Sequence, residues 1–251
     1  MRIVLPPSET KRSGGSSELP LDWDALVLPE LTKTRAGIAR DLLALCRRPR
    51  HAAQILGLGP KNMDYLESNR ALLDSATLPA IERYTGVVFD SLDYASLSDS
   101  SRAAAHQSLW IFSALFGPLR ATDPIPRYRL SFDSRIPGES LKARWLPQAD
   151  RMWADTFTID LRSEGYRDLA PLPPGRGVFV RFVRDLAGQR AVGHANKATK
   201  GQLVRALLES PHTPGNVEEL LEWATNRGWK MAVPQENRAE VFLAVEDAVQ
   251  R

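Results

Sequence analysis

Short runs rich in β-branched and aromatic residues recur from one end of the chain to the other, separated by stretches with helical periodicity. This interleaving constrains the fold more than any other feature. The first run, Ile3-Val4-Leu5, reads as a buried strand that stops at Pro6-Pro7, because proline cannot continue a central ladder. Ser8, Glu9, Thr10 and Lys11 therefore leave a strand end and run into a flexible SGGSS loop. Further strands are expected in YTGVVFDSL (84–92), TFTIDL (156–161), VFVRFVRD (178–185), RAVGH (190–194), WKMAV (229–233) and AEVFLAVE (239–246), with 178–185 and 190–194 joined as a hairpin by the turn LAGQ. Alternation in 178–185 sets an apolar face, Val178, Val180 and Phe182, against a basic one, Arg181 and Arg184.

Helices are expected at 32–46, 51–73, 98–116, 142–155, 197–208 and 217–227. The 98–116 helix rests on Ala105, Leu109, Phe112 and Phe116, with Gly117-Pro118 as its stop, and the last helix on the capping pair Asn216 and Glu219. Between Arg120 and Gly138 runs a long Pro- and Arg-rich connection of the kind that carries function or moves. With 251 residues, 43% of them hydrophobic, one core is sufficient, and no linker or repeat divides the chain. The expected fold is therefore α+β: a single compact unit over residues 1–251, with a mixed or antiparallel sheet and flanking helices.

Several classes drop out. No apolar run approaches the roughly 18 residues of a membrane span, and too few apolar residues precede Pro6 for a signal core, so a cytoplasmic protein without membrane contact is expected. The single cysteine, Cys46, permits no internal disulfide and reads as a buried thiol in the helical run DLLALCRR. Histidines at 51, 106, 194 and 212 lack ligand spacing, and no nucleophile elbow, Walker loop or dinucleotide fingerprint is present. No metal, no cofactor and no obligate protein partner is expected.

The net charge of +3 is unevenly spread. Six basic residues against Asp41 alone lie between Lys33 and Arg50, and six against Asp185 alone between Arg181 and Arg205. If the fold brings the two segments together they make a phosphate-binding face; otherwise they are solvated helix and strand surfaces. Within the 51–73 region, Leu56-Gly57-Leu58-Gly59-Pro60-Lys61 reads as a tight glycine hairpin between two helices.

These pieces, in this order, resemble the YaaA family of peroxide-stress proteins. The opening strand and PPSETK resemble the family's first signature, YTGVVFDSL its glycine strand motif, and FSALFGPLRATDPIPRYRL its most recognisable central block. DLRSEGY and NKATKGQLVR resemble its two later motifs, and the chain departs from it at Glu9, where some relatives have a basic residue, and at Lys200, where arginine is usual. The resemblance implies protection against peroxide stress through a helix-hairpin-helix-like element and a positive cleft. On that basis the expected partner is double-stranded DNA, held through Arg47, Arg48, Gly57, Gly59 and Lys61 by backbone N–H groups and charge. The alternative is an enzyme acting on a small anionic or nucleotide-like ligand. Its catalytic candidates are Ser8, Thr10, Lys11, Ser163, Tyr166 and Lys197, and its anion-binding candidates Arg120, Arg129, Lys200 and Arg205, with Ser113, Asp123 and Tyr128 in the same block. Individually, Arg120 and Asp123 could instead form an ion pair that pins the loop, Tyr128 could pack, and Ser113 could cap a turn.

Overall fold

The computed structural model describes residues 1–16, 20–153, 156–186, 195–234 and 239–245. Its strands are β1 (Arg2–Leu5), β2 (Thr77–Pro79), β3 (Leu109–Ser113), β4 (Gly117–Arg120), β5 (Pro124–Pro126), β6 (Thr158–Asp160), β7 (Gly177–Val183), β8 (Met231–Ala232) and β9 (Glu240–Ala244). Seven of them form a mixed sheet in the order β4-β3-β1-β6-β7-β9-β8, while β2 and β5 pair separately and antiparallel. The five inner strands are parallel to their neighbours, and β4 and β8 close the edges antiparallel. All residues of β1, β3 and β6 are buried, as expected of strands covered on both faces. The chain lays β3 and β4 on one side of β1 and β6, β7, β9 and β8 on the other. Winding therefore reverses at β1, and ligand crevices form outside the carboxyl ends of strands at such a point.

Several expectations are corrected. Residues 84–92 are not a strand: Gly86, at φ 97, opens a short helix, Val87–Leu92, that buries Val88, Phe89 and Leu92. Packing overrides β propensity here. The helix Ala195–Leu208 lies against this segment at Gly201, where a Cβ would meet Val88 O and come within 2.7 Å of Leu92 N. The expected 98–116 helix ends at Ser108, and Leu-Trp-Ile-Phe continues as β3, because four consecutive apolar residues need cover on both sides. In the 51–73 region the glycine turn and a 3-10 segment, Pro60–Asn62, stand between two short helices, Pro49–Ile55 and Asp64–Arg70. The 142–155 stretch likewise divides into Leu141–Trp145, a 3-10 turn, and Ala149–Met152, with Trp145 and Met152 buried as anticipated. The expected turn and strand over 186–194 fall outside the described residues from position 187 on. The helices Thr32–Cys46 and Val217–Asn226 stand where expected, and Asn216 Oδ1 accepts from Glu219 N at 2.8 Å.

Much of the basic excess is structural. Arg35 is fully buried and donates to the carbonyls of Val27, Leu28, Phe116 and Pro118, tying the first long helix to the β3–β4 turn. Arg83, also fully buried, gathers the carbonyls of Arg12, Gly14, Ala76 and Ile125. Arg162 is held bidentate by Asp160 at 2.9 and 2.7 Å, with both side chains fully buried. On the basic face expected of β7, Arg181 pairs with Glu164 and with Glu240 of the neighbouring β9, while Arg184 is exposed.

Candidate functional site

The segment leaving β1 builds its site from short-range bonds. Ser8 Oγ accepts from Thr10 N at 3.3 Å, and Thr85 Oγ1 donates to Thr10 Oγ1 at 3.0 Å. Gly86 keeps this corner open, since a Cβ there would come within 3.3 Å of Ser8 Oγ. Lys11 then turns inward. Its backbone N–H donates to Tyr65 Oη at 2.8 Å and its Nζ to Ser8 O at 2.8 Å, with the ammonium 4.2 Å from the Tyr128 ring centroid and 5.1 Å from that of Tyr84.

Behind Lys11 lies a row of hydroxyls. Ser113 Oγ, at the end of β3, accepts from Leu115 N and Phe116 N at 3.0 Å each, sits 2.6 Å from Tyr128 Oη, and Tyr128 Oη is 2.7 Å from Tyr84 Oη. Ser113 has already used both lone pairs, so it donates to Tyr128, while between Tyr128 and Tyr84 either hydroxyl can be the donor. Burial pushes both phenols above their ordinary range, more than these bonds lower Tyr84. Lys11 moves the opposite way: burial, then the charges of Arg129, Arg127 and Arg83, hold it well below the usual lysine value, with Glu9 opposing. The corner thus combines an amine biased toward its neutral form with phenols biased toward theirs.

Arg129 closes the rim. It pairs with Glu9 at 2.6 Å, its backbone exchanges two hydrogen bonds with the Asn69 side chain, and its buried Nε has no partner among the described residues. Arg127 stacks on Tyr65 at 3.7 Å and pairs with Asp64 at 2.8 Å. Tyr65, Asn69 and Asp64 all belong to Asp64–Arg70, so the helix that follows the glycine turn is clamped to this site. On the β6 side, Tyr166 is buried against Phe132, and its hydroxyl is raised by burial and by the neighbouring Tyr128.

The fold therefore brings together Ser8, Thr10, Lys11, Arg129 and Tyr166, with Ser113 and Tyr128. Lys200 is buried just past the end of β6, donating from Nζ to Leu161 O at 2.7 Å, with its pKa lowered to about 8 by burial. Ser163 and Lys197 are exposed, and Arg205 is engaged with Leu92 O, Asp93 O, Ser96 Oγ and Glu209. Arg120 lies at the opposite end of the sheet, paired across to Trp110 at the start of β3. Asp123 pins the loop through backbone, accepting from Val27 N and Arg120 N at 3.1 Å each, rather than through an ion pair with Arg120. Ser113 does cap a turn, and Tyr128 does pack, edge-on to Phe116. Arg47, Arg48, Gly57, Gly59 and Lys61 are exposed around the turn between the two short helices. Sequence reasoning missed Tyr65, Asn69 and Arg127, whose roles depend on long-range pairing that no local pattern signals. Tyr84 stood inside a quoted motif without being singled out.

A family model described as peroxide stress protein YaaA matches residues 1–233. The chain is 43% identical over 235 residues to a UPF0246 protein of Corynebacterium glutamicum, covering 91% of this chain and 93% of that one. It is 38% identical to a UPF0246 protein of Corynebacterium efficiens, covering 98% and 100%, and 38% identical to one of Streptomyces coelicolor, covering 92% of each. No helix among the described residues is long and apolar enough to cross a membrane.

Proposed function

The chain belongs to the peroxide stress protein YaaA family, and on that premise we propose that it acts in peroxide stress as a cytoplasmic protein that grips the backbone of double-stranded DNA without regard to sequence. The grip is through the Gly57–Gly59 turn, used as a helix-hairpin-helix element. One observation carries this reading. Arg47, Arg48, Arg50 and Lys61 are all exposed, and none makes a side-chain hydrogen bond or ion pair among the described residues, whereas Arg70 and Arg127 beside them are committed to Glu67 and Asp64. A Cβ at Gly57 or Gly59 would meet nothing within 4 Å, so a phosphate has space to approach the turn, where Gly57 N and Leu58 N donate internally to Gln54 O and Ala53 O.

Four phosphate contacts correspond to a slope of log affinity against log salt of about −3.6 for duplex DNA. Lys61→Ala and Arg48→Ala should each weaken binding to any sequence and each reduce the slope by about one. A flat salt dependence, or unchanged affinity in both variants, would remove the turn from the account.

A second reading, an enzyme acting on a small anionic or nucleotide-like substrate, is favoured by Lys11. A buried lysine with no carboxylate paired to it among the described residues, facing two phenols, suits proton transfer, and Arg129 would orient the anion. Ser8, Thr10 and Tyr166 would line that substrate's path, with Ser163, Lys197 and Lys200 at its β6 side. Loss of small-anion binding in Arg129→Gln with DNA affinity intact would support it; binding unchanged in that variant would refute it.

A further inference from the structure

At the amino-terminal end of the parallel strands, away from Lys11 and Arg129, lies a cavity of about 410 Å³ whose lining includes Arg2, His106, Gln107, Trp110, Arg120 and Thr156. Its geometry follows from strand register. Val4 pairs with Trp110 and Trp110 with Arg120, while Arg2 stands two residues before Val4 on the same face, so both arginines and the indole share one side of the sheet. The Arg2 guanidinium lies 3.9 Å from the Trp110 ring centroid, and the residue is 8% exposed. Among the described residues its side chain makes one hydrogen bond, from Nη1 to Met152 O at 3.2 Å, and that of Arg120 makes none. Among the described residues, no acidic one lines the cavity. The carboxylate that feels Arg120, Asp123, is occupied by two backbone N–H groups.

We propose that this cavity binds a diphosphate group, free or at the end of a nucleoside diphosphate, between the Arg2 and Arg120 guanidiniums, with Gln107 and His106 at its edge. Two neighbouring guanidiniums without a counter-ion among the described residues repel each other, and burial already disfavours the charge on Arg2, which Arg120 disfavours further. An anion carrying two phosphoryl groups relieves both effects and accepts from the remaining N–H donors in fork geometry. The cavity falls in the range of small-molecule sites, with room beyond the diphosphate for a larger ligand. The site is separate from the DNA-contacting turn and does not depend on it.

The test is calorimetric titration of the full chain with inorganic pyrophosphate and, in a parallel arm, ADP. Saturable 1:1 binding of pyrophosphate is expected, weakened at least tenfold in Arg120→Gln, less in Arg120→Lys, and unchanged in Lys61→Ala. Because the Arg120 side chain is exposed and makes no bond, the variant should fold, and an unchanged Tm verifies this. ADP binding more tightly than pyrophosphate identifies a nucleoside diphosphate as the occupant, and equal affinity identifies the free group. No saturable binding of pyrophosphate by the unaltered chain, or equal affinity in Arg120→Gln, overturns the proposal and leaves the DNA reading untouched.

Discussion

Replacing Asp160 with alanine would leave Arg162 charged, fully buried and without its counter-ion. In the native protein the guanidinium spans both Asp160 oxygens and the carbonyls of Tyr166 and Ala170, and lies 4.7 and 4.8 Å from the Phe112 and Trp153 ring centroids. The two carbonyls and the rings remain in the variant, but the net charge is no longer balanced. Removing one partner of such a pair costs about 3–5 kcal/mol. At roughly 2–4 °C per kcal/mol for a chain of this size, Tm should fall by roughly 10 °C. Thermal and urea unfolding followed by circular dichroism give both numbers. The paired replacement, Asp160→Leu with Arg162→Met, should recover most of the loss, because the cost lies in the uncompensated charge rather than in the missing pair. A loss below about 1 kcal/mol for Asp160→Ala, or a double variant no better than the single, would refute the reasoning.

Other expectations are equally concrete. Lys200 has a folded pKa of about 8, below the ordinary lysine value near 10.4, so the unfolded chain holds more protons in that window and stability should rise from pH 8 toward 10. Above about pH 10 the raised phenols of Tyr84, Tyr128 and Tyr166 reverse the sign, because the unfolded chain then loses protons first. Lys200→Met should lessen the rise when urea midpoints are compared across pH. Gly201→Ala drives a methyl into the backbone of Val87–Leu92 and should destabilise by about 1–3 kcal/mol, read from the urea midpoint. Cys46 is buried and its thiol pKa is raised by burial, so a thiol reagent should label it only at the rate of unfolding, and labelling of the native chain within minutes would contradict that placement.

The strands at the two ends of the chain and the helices 32–46 and 217–227 were legible because a single periodicity or a cap defined each. Residues 84–92 misled because Val87, Val88 and Phe89 carry strand preference, while the deciding contact, the close approach at Gly201, is more than a hundred residues away. Leu109 through Phe112 misled for the complementary reason: four apolar residues in a row satisfy helical spacing by accident, and only the neighbouring strands β1 and β4 identify them as sheet. In the candidate site, Ser8, Thr10 and Lys11 were readable as a strand exit, but the basic excess was not readable as structural. Nothing local distinguishes Arg83, fully buried among carbonyls, from Arg48, exposed to solvent.

The hydroxyl row behind Lys11 is fixed at one end. Ser113 is anchored by two backbone N–H groups, so its proton is committed to Tyr128, and reversing that bond would require Ser113 to release one anchor. The Ser113 end of the row is therefore set before any group reaches the corner, with no reorientation of that hydroxyl needed on contact.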